Sequence, residues 1–223
     1  MRLLLVEDDK FMAQMIAALL VKKDLNVTTV HDGTAAIETM RLYQFDAVLL
    51  DLRLKDMSGL EVLASARKMG IEYPIVILSG EMDTEMKVRA LGAGADDYVT
   101  KPFKIEELAA RIVAVVRRRN GYLSTCIEVG PVKLDLTQKQ VFVQDSPLNL
   151  TRKEYEVLEA LVLRSGRTLS KDTMLNLLYG GMDEPNPKII DVFVCKLRKK
   201  LSDALGGASP IQTVYGMGYS YRA

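Results

Sequence analysis

The sequence predicts two domains in one chain, an open α/β parallel sheet followed by a smaller α+β domain. Three observations carry that expectation. Across residues 1–119, short apolar runs alternate with segments of helical periodicity. From residue 127 onward the pattern changes to short strand-like runs broken by Gly-Pro and Asp-Ser-Pro turns, then three helices and a closing hairpin. The charge divides in the same way: residues 1–116 hold 14 Lys+Arg and 18 Asp+Glu, net −4, and residues 117–223 hold 16 and 11, net +5. An acidic half joined to a basic half implies that the second half faces a polyanion.

In the first half, Leu3–Val6 reads as a strand and Lys10–Lys23 as a helix with Phe11, Met12, Met15, Ile16, Leu19 and Leu20 on one face. Asn26–Val30 is a strand. Asp32-Gly33 then leads into a helix over Thr34–Tyr43. Asp46–Asp51, Pro74–Leu78 and Tyr98–Thr100 are strands, and Gly59–Met69, Thr84–Leu91 and Ile105–Arg119 are helices. Five βα units of this length favour a flavodoxin-like sheet over a closed barrel.

In the second half, Ile127–Glu128, Val132–Leu136, Gln140–Val143 and Leu148–Leu150 read as antiparallel strands. Helices follow over Arg152–Ser165, Lys171–Tyr179 and Pro187–Leu205. Thr151 and Glu154 form a capping box for the first, Ser170 caps the second and Pro187 opens the third. Gln212–Val214 and Tyr219–Tyr221 close the chain as a hairpin across Gly216-Met217-Gly218.

Composition narrows the function classes. No run of about 20 apolar residues exists, so no membrane span is expected. The chain starts on a strand-like run, and no signal peptide is expected. Cys126 and Cys195 match no metal spacing and suit a reducing cytosol, so the expected location is cytoplasmic. His31 is the sole histidine and reads as a turn residue beside Asp32-Gly33. A Ser-His-Asp triad or a multi-histidine metal site is therefore hard to build.

The informative feature is one sheet edge. In parallel sheets the C-terminal ends of the strands form the ligand crevice. That edge collects Glu7 and Asp8 after the first strand, Asp51 at the end of the third, Ser79 after the fourth and Lys101 after the fifth. Clustered carboxylates raise one another's pKa unless a cation neutralises them, and hard oxygen donors suit Mg²⁺. Lys101 offers a positive charge and Ser79 a hydroxyl to a phosphoryl group. A carboxylate supported in this way is a competent nucleophile that forms an acyl phosphate.

On Glu7-Asp8, Asp51, Asp56-Met57-Ser58-Gly59, Ser79-Gly80, Gly94-Ala95-Asp96-Asp97-Tyr98 and Lys101-Pro102-Phe103, residues 1–119 resemble a response-regulator receiver domain. The resemblance implies that Asp51 accepts a phosphoryl group from a histidine kinase or histidine-phosphotransfer protein. It implies Mg²⁺ held by Asp8, Asp51 and the Arg53 carbonyl, with Glu7 acting through water. Ser79 and Tyr98 would be the switch pair, with Tyr98 rotating inward, and Lys101 would meet the phosphoryl group. Two features depart from the pattern. Lys55 stands where these domains usually carry proline, which should loosen the turn. Arg53 and Glu81 flank the pocket mouth and read as solvated charges; pairing over the phosphoryl group is the alternative.

Residues 127–223 resemble the winged-helix effector domain of the OmpR/PhoB subfamily, joined to the receiver by a linker over 120–126. The matching segments are Leu150–Tyr155, Asp191 with Lys196–Leu201, and Val214–Tyr219. In that subfamily the positions of Lys87, Asp96, Asp97, Glu107, Arg111 and Arg118 form a charged dimer seam. The implied pairs across a two-fold axis are Lys87–Glu107, Asp97–Arg111 and Asp96–Arg118.

The helix beginning near residue 188 has Ile190, Val194, Leu197 and Leu201 on one stripe and Lys188, Val192, Cys195 and Lys199 opposite, flanked by Lys196 and Arg198. That division suits a major groove. At the wing, Tyr215 takes the place of a frequent arginine, so minor-groove grip should be weaker or more dependent on DNA shape. Segments 178–185 and 188–201 further resemble alphaproteobacterial cell-cycle and motility regulators of this subfamily. That implies AT-rich, TTAA-type half-sites and action through RNA polymerase. The expectation is a phosphorylation-switched homodimeric transcription factor with no catalytic turnover. A phosphorylation-independent DNA-binding regulator controlled by abundance is the alternative.

Overall fold

The computed structural model describes residues 1–80, 84–179 and 185–222. Two compact units divide the chain, Met1–Arg119 and Asn120–Ala223.

The first unit alternates strictly: β1 (Arg2–Val6), α1 (Lys10–Val21), β2 (Asn26–Val30), α2 (Gly33–Leu42), β3 (Ala47–Asp51), α3 (Gly59–Lys68), β4 (Ile75–Ser79), α4 (Thr84–Gly92), β5 (Asp97–Thr100) and α5 (Ile105–Arg119). Its five strands are parallel in the order β2-β1-β3-β4-β5, the flavodoxin-like arrangement that the five βα units predict. Every residue of β1, β3 and β4 is buried, because helices cover both faces. Leu4, Val6, Val48, Leu50, Ile75 and Ile77 pack with Ala36 and Met40 of α2 and Val62, Leu63 and Ala66 of α3. Alternate residues of the same strands point to the other face, where α1 and α5 pack together. The chain reverses its winding direction between β1 and β3, and the crevice of such a sheet opens there.

Local chemistry sets the helix starts. Asp9 accepts from the N–H groups of Phe11 and Met12, and Asp32 from that of Ala35. Ser58 and Glu61 form a capping box that starts α3 directly after the β3 loop. Gly59 lies so close to the Asp51 carbonyl that a Cβ would collide with it, so the loop can fold tightly against β3 only with glycine there.

Helix α1 corrects the sequence reading. Its buried face is Ala13, Ile16 and Leu20, while Phe11 is 79% and Met15 47% exposed. The helix carries two apolar stripes, and the one containing Ala13 lies against the unit's core. It also stops two residues early, because the chain turns through Asp24 at φ 59°.

The second unit opens with β6 (Cys126–Val129), β7 (Val132–Asp135), β8 (Gln140–Val143) and β9 (Ser146–Pro147), antiparallel in sequence order. The Leu148–Leu150 strand expected from sequence is displaced to Ser146–Pro147. Gln144 and Asp145, at φ 48° and 61°, make a two-residue turn that sets the hairpin register earlier. Tyr122, expected in the linker, donates its hydroxyl to the Val162 carbonyl at 2.9 Å, and Cys126 already lies in β6.

Next come α6 (Arg152–Leu163), β10 (Thr168–Leu169), α7 (Lys171–Tyr179), α8 (Lys188–Leu205), β11 (Ile211–Val214) and β12 (Gly218–Tyr221). The three helices pack on one another. Thr151 and Glu154 form the predicted capping box, and Ser170 Oγ accepts from the Thr173 N–H at 3.0 Å. The terminal hairpin gains a third strand that the sequence reading lacked, in the order β10-β12-β11. Gly218 sits at φ 137° where a Cβ would strike the Leu169 carbonyl, so β10 and β12 meet only with glycine there.

Candidate functional site

Strand register builds the acidic pocket. Val6 pairs with Leu50, so the residues just beyond, Glu7 and Asp51, emerge side by side. Asp51 pairs with Leu78, which brings Ser79 to the same edge, and the Lys101 N–H donates to the Ser79 carbonyl at 2.7 Å. Lys101 Nζ lies 2.5 Å from Asp51 Oδ2 and 2.6 Å from Glu7 Oε2. Glu7, Asp51 and Ser79 are buried. Burial raises the Glu7 pKa, and Lys101 only partly offsets it. Burial pulls on the Lys101 ammonium in the opposite sense, but the hydrogen bonds to Asp51 and Glu7 win and raise its pKa.

One carboxylate oxygen from each of Glu7, Asp8 and Asp51 lies within 4.8 Å of the others. This compact set of hard donors fits a small divalent cation such as Mg²⁺. The Arg53 N–H donates to Asp51 Oδ1 at 3.0 Å and holds the carboxylate in register. The site therefore combines a buried carboxylate, an ammonium on the same oxygen edge and a buried hydroxyl. That set can accept and stabilise a phosphoryl group.

Tyr98 is 4% exposed and packed in the core cluster with Ala90 and Ala95, so in this conformation its ring is already inward. His31 is a turn residue whose Nδ1 lies 3.0 Å from the Glu7 carbonyl. Glu81 lies outside the described residues, as do residues 180–184 of the 178–185 segment that resembles cell-cycle regulators.

Two partners in this region escaped the sequence reading. Asp56 accepts from the Gly33 N–H at 2.8 Å, the Thr34 N–H at 2.9 Å and the Thr34 hydroxyl at 2.8 Å. These bonds tie the loop after β3 to the start of α2 and hold the Asp56 pKa down at about 2. Lys55, expected to loosen its turn, reaches across to Asp8. Its Nζ lies 3.7 Å from Asp8 Oδ2 and 3.4 Å from the Asp8 carbonyl. Neither pairing has a signal in local sequence, since each joins different loops.

On the α4–β5–α5 face, charges expected to pair between chains already pair within one. Arg111 reaches Asp97 at 3.0 Å and Glu107 at 2.9 Å. Asp96 receives Arg67 at 2.8 Å and the Ile75 N–H at 2.9 Å. Lys87 and Arg118 are exposed. Val88 and Leu91 are 63% and 42% exposed on α4, an apolar component that the charge pattern concealed.

In the second unit the stripe Ile190, Val194, Leu197 and Leu201 is buried, and Lys188, Val192, Cys195, Lys196 and Lys199 are exposed. Arg198 is turned elsewhere. Its Nε donates to the Ile211 carbonyl at 3.1 Å, a terminal nitrogen donates to Thr213 Oγ1 at 2.7 Å, and its guanidinium lies 5.5 Å from the Tyr219 ring centroid. Asp191 receives Lys171 at 2.7 Å and the Tyr219 hydroxyl at 2.6 Å. The Lys171 hydrogen bond, then that of Tyr219, lowers the Asp191 pKa. Burial, helped by Asp191, pushes the Tyr219 hydroxyl up to about 12. At the tip of the β11–β12 hairpin, Tyr215 is 92% and Met217 63% exposed.

Comparisons with known proteins agree with both halves. The family model for the response regulator receiver domain matches residues 3–113, and the model described as transcriptional regulatory protein, C terminal, matches residues 145–221. The cell cycle response regulator CtrA of Brucella anthropi is 52% identical over 222 residues, covering 100% of this chain and 96% of that one. A solved Francisella response-regulator receiver domain is 33% identical with a TM-score of 0.51, covering 52% of this chain and 97% of its own. A CheY-like receiver domain protein from Methanospirillum hungatei is 26% identical with a TM-score of 0.52, covering 54% of this chain and 96% of its own. Matched end to end, the chain belongs to the response-regulator family, as a CtrA-like member with a receiver domain and an OmpR/PhoB-type DNA-binding domain.

Proposed function

We propose that this chain is a cytoplasmic transcription regulator switched by phosphorylation of Asp51. The observation that carries the reading is the Lys101 ammonium bridging Asp51 and Glu7 at 2.5 and 2.6 Å. An oxygen of Asp51 attacks the phosphorus of a phosphohistidine on a histidine kinase or phosphotransfer protein. The P–N bond breaks, the imidazole leaves with the electron pair and takes up a proton, and an acyl phosphate forms. Lys101 and the Ser79 hydroxyl then face the new phosphoryl oxygens. Mg²⁺, when bound, neutralises charge on those oxygens, and Glu7, Asp8, Asp51 and the Arg53 carbonyl are the groups that would hold it.

Readout runs through Tyr98 to the α4–β5–α5 face. Val88 and Leu91 supply apolar contact to a homodimer there, and Arg111 exchanges an internal partner for one across the axis. Exposed pairs are individually weak, about 0–1 kcal/mol, so small shifts can decide assembly. Pairing two DNA-binding units raises their effective concentration on adjacent half-sites. On α8, Lys188, Lys196 and Lys199 meet phosphates, Val192 and Cys195 meet base edges, and Tyr215 lies along the wing. RNA polymerase is the partner at the promoter.

Incubation with acetyl phosphate and Mg²⁺, read by intact-protein mass, tests the first step. One phosphoryl group on the wild type and none on Asp51→Ala is expected. Equal labelling of both would overturn the assignment.

A further inference from the structure

Among the described residues, the pocket holds three carboxylates and draws on two ammonium groups. Lys101 serves Glu7 and Asp51, whereas Asp8 is met by Lys55, whose Nζ lies 3.7 Å from Oδ2 and 3.4 Å from the backbone carbonyl. Asp8 is also the most open of the three, its side chain 26% exposed against 3% for Glu7 and 9% for Asp51. Lys55 stands four residues beyond Asp51 in a position where the receiver pattern has an uncharged proline.

We infer that Lys55 is a tethered competitor of the divalent cation at Asp8, so that this receiver holds Mg²⁺ more weakly than one with a neutral residue at that place. The inference rests on the reading of Asp8 as a metal ligand. An entering ion must displace the ammonium from Asp8 and then sits beside a like charge. The Lys55 side chain is 75% exposed on a flexible four-carbon stem, so it swings into water and competes without blocking the site. The charge of the phosphoacceptor pocket therefore follows the free metal concentration: Lys55 covers Asp8 when the ion is scarce and yields it when the ion is abundant.

Isothermal titration of the full chain with Mg²⁺ at fixed ionic strength tests this, using wild type, Lys55→Gln, Lys55→Arg and Asp8→Asn. Lys55→Gln should lower the Mg²⁺ Kd about three- to tenfold, the range expected for losing one exposed charge near a divalent ion. Lys55→Arg should stay within about twofold of wild type, because it retains the charge. Loss of the Asp8 contact should lower the metal-free unfolding midpoint of Lys55→Gln slightly and leave that of Lys55→Arg in place. Equal Kd values for wild type and Lys55→Gln would overturn the inference, as would equal tightening by Gln and Arg. Wild-type affinity in Asp8→Asn would instead overturn the assignment of Asp8 as a ligand.

Discussion

The Tyr219 hydroxyl donates to Asp191 Oδ1 at 2.6 Å and so fastens the wing to the helix that carries the basic face. Lys171 completes the node from the start of α7. Its geometry fixes where the wing lies relative to α8. Removing the hydroxyl in Tyr219→Phe should therefore cost stability, by about 1.5–3 kcal/mol for a hydrogen bond to a charged group. DNA affinity should fall with it, although Tyr219 need not touch DNA. Urea unfolding beside a binding isotherm checks both; an unchanged midpoint would mean that the Tyr219–Asp191 bond does not hold the wing.

Arg198 and Lys199 are adjacent and basic, yet they should behave differently. Arg198 is held by Ile211 and Thr213 of β11, whereas Lys199 is exposed. Arg198→Ala should lower the unfolding midpoint. Lys199→Ala should leave it in place but reduce the salt dependence of DNA binding by about one unit of slope, as loss of one phosphate contact does. Affinity measured at several salt concentrations separates the two.

Asp56 supplies a pH signature. Its folded pKa of about 2 lies below the ordinary 3.8 because Gly33 and Thr34 donate to the carboxylate. A depressed acid pKa stabilises the fold above the unfolded value, and the contribution is lost as pH falls through the folded one. Asp56→Ala should therefore be less stable than wild type at pH 6, by a margin that shrinks between about pH 4 and pH 2. Denaturant unfolding at both ends of that range measures the margin; a constant difference would mean that the loop is held by something other than the ionised carboxylate.

Much of this was legible in the sequence, for identifiable reasons. The runs Leu3–Val6 and Ala47–Leu50 are apolar throughout, and parallel direction brings the C-terminal ends of the strands onto one edge, so the cluster of Glu7, Asp8, Asp51, Ser79 and Lys101 follows from the βα alternation. The α8 stripe was equally plain, since helical spacing isolates Ile190, Val194, Leu197 and Leu201. Features set by distant partners were not. Helix α1 has two apolar stripes, and only packing decides that Ala13 turns inward and Phe11 outward. Arg198 looks like its basic neighbours until β11 is placed beside it. The two-residue strand Thr168–Leu169 is too short to carry a pattern and exists because β12 pairs with it.

In the proposed function, the Asp51 pocket controls DNA binding. The most direct test is a binding isotherm on DNA with paired TTAA-type half-sites, at one salt concentration because affinity depends on it. Wild type and Asp51→Ala would each be measured with and without acetyl phosphate and Mg²⁺. Phosphorylation should tighten binding by wild type and leave Asp51→Ala unchanged. Equally tight binding in all four cases would contradict this and leave a DNA-binding protein governed by its abundance.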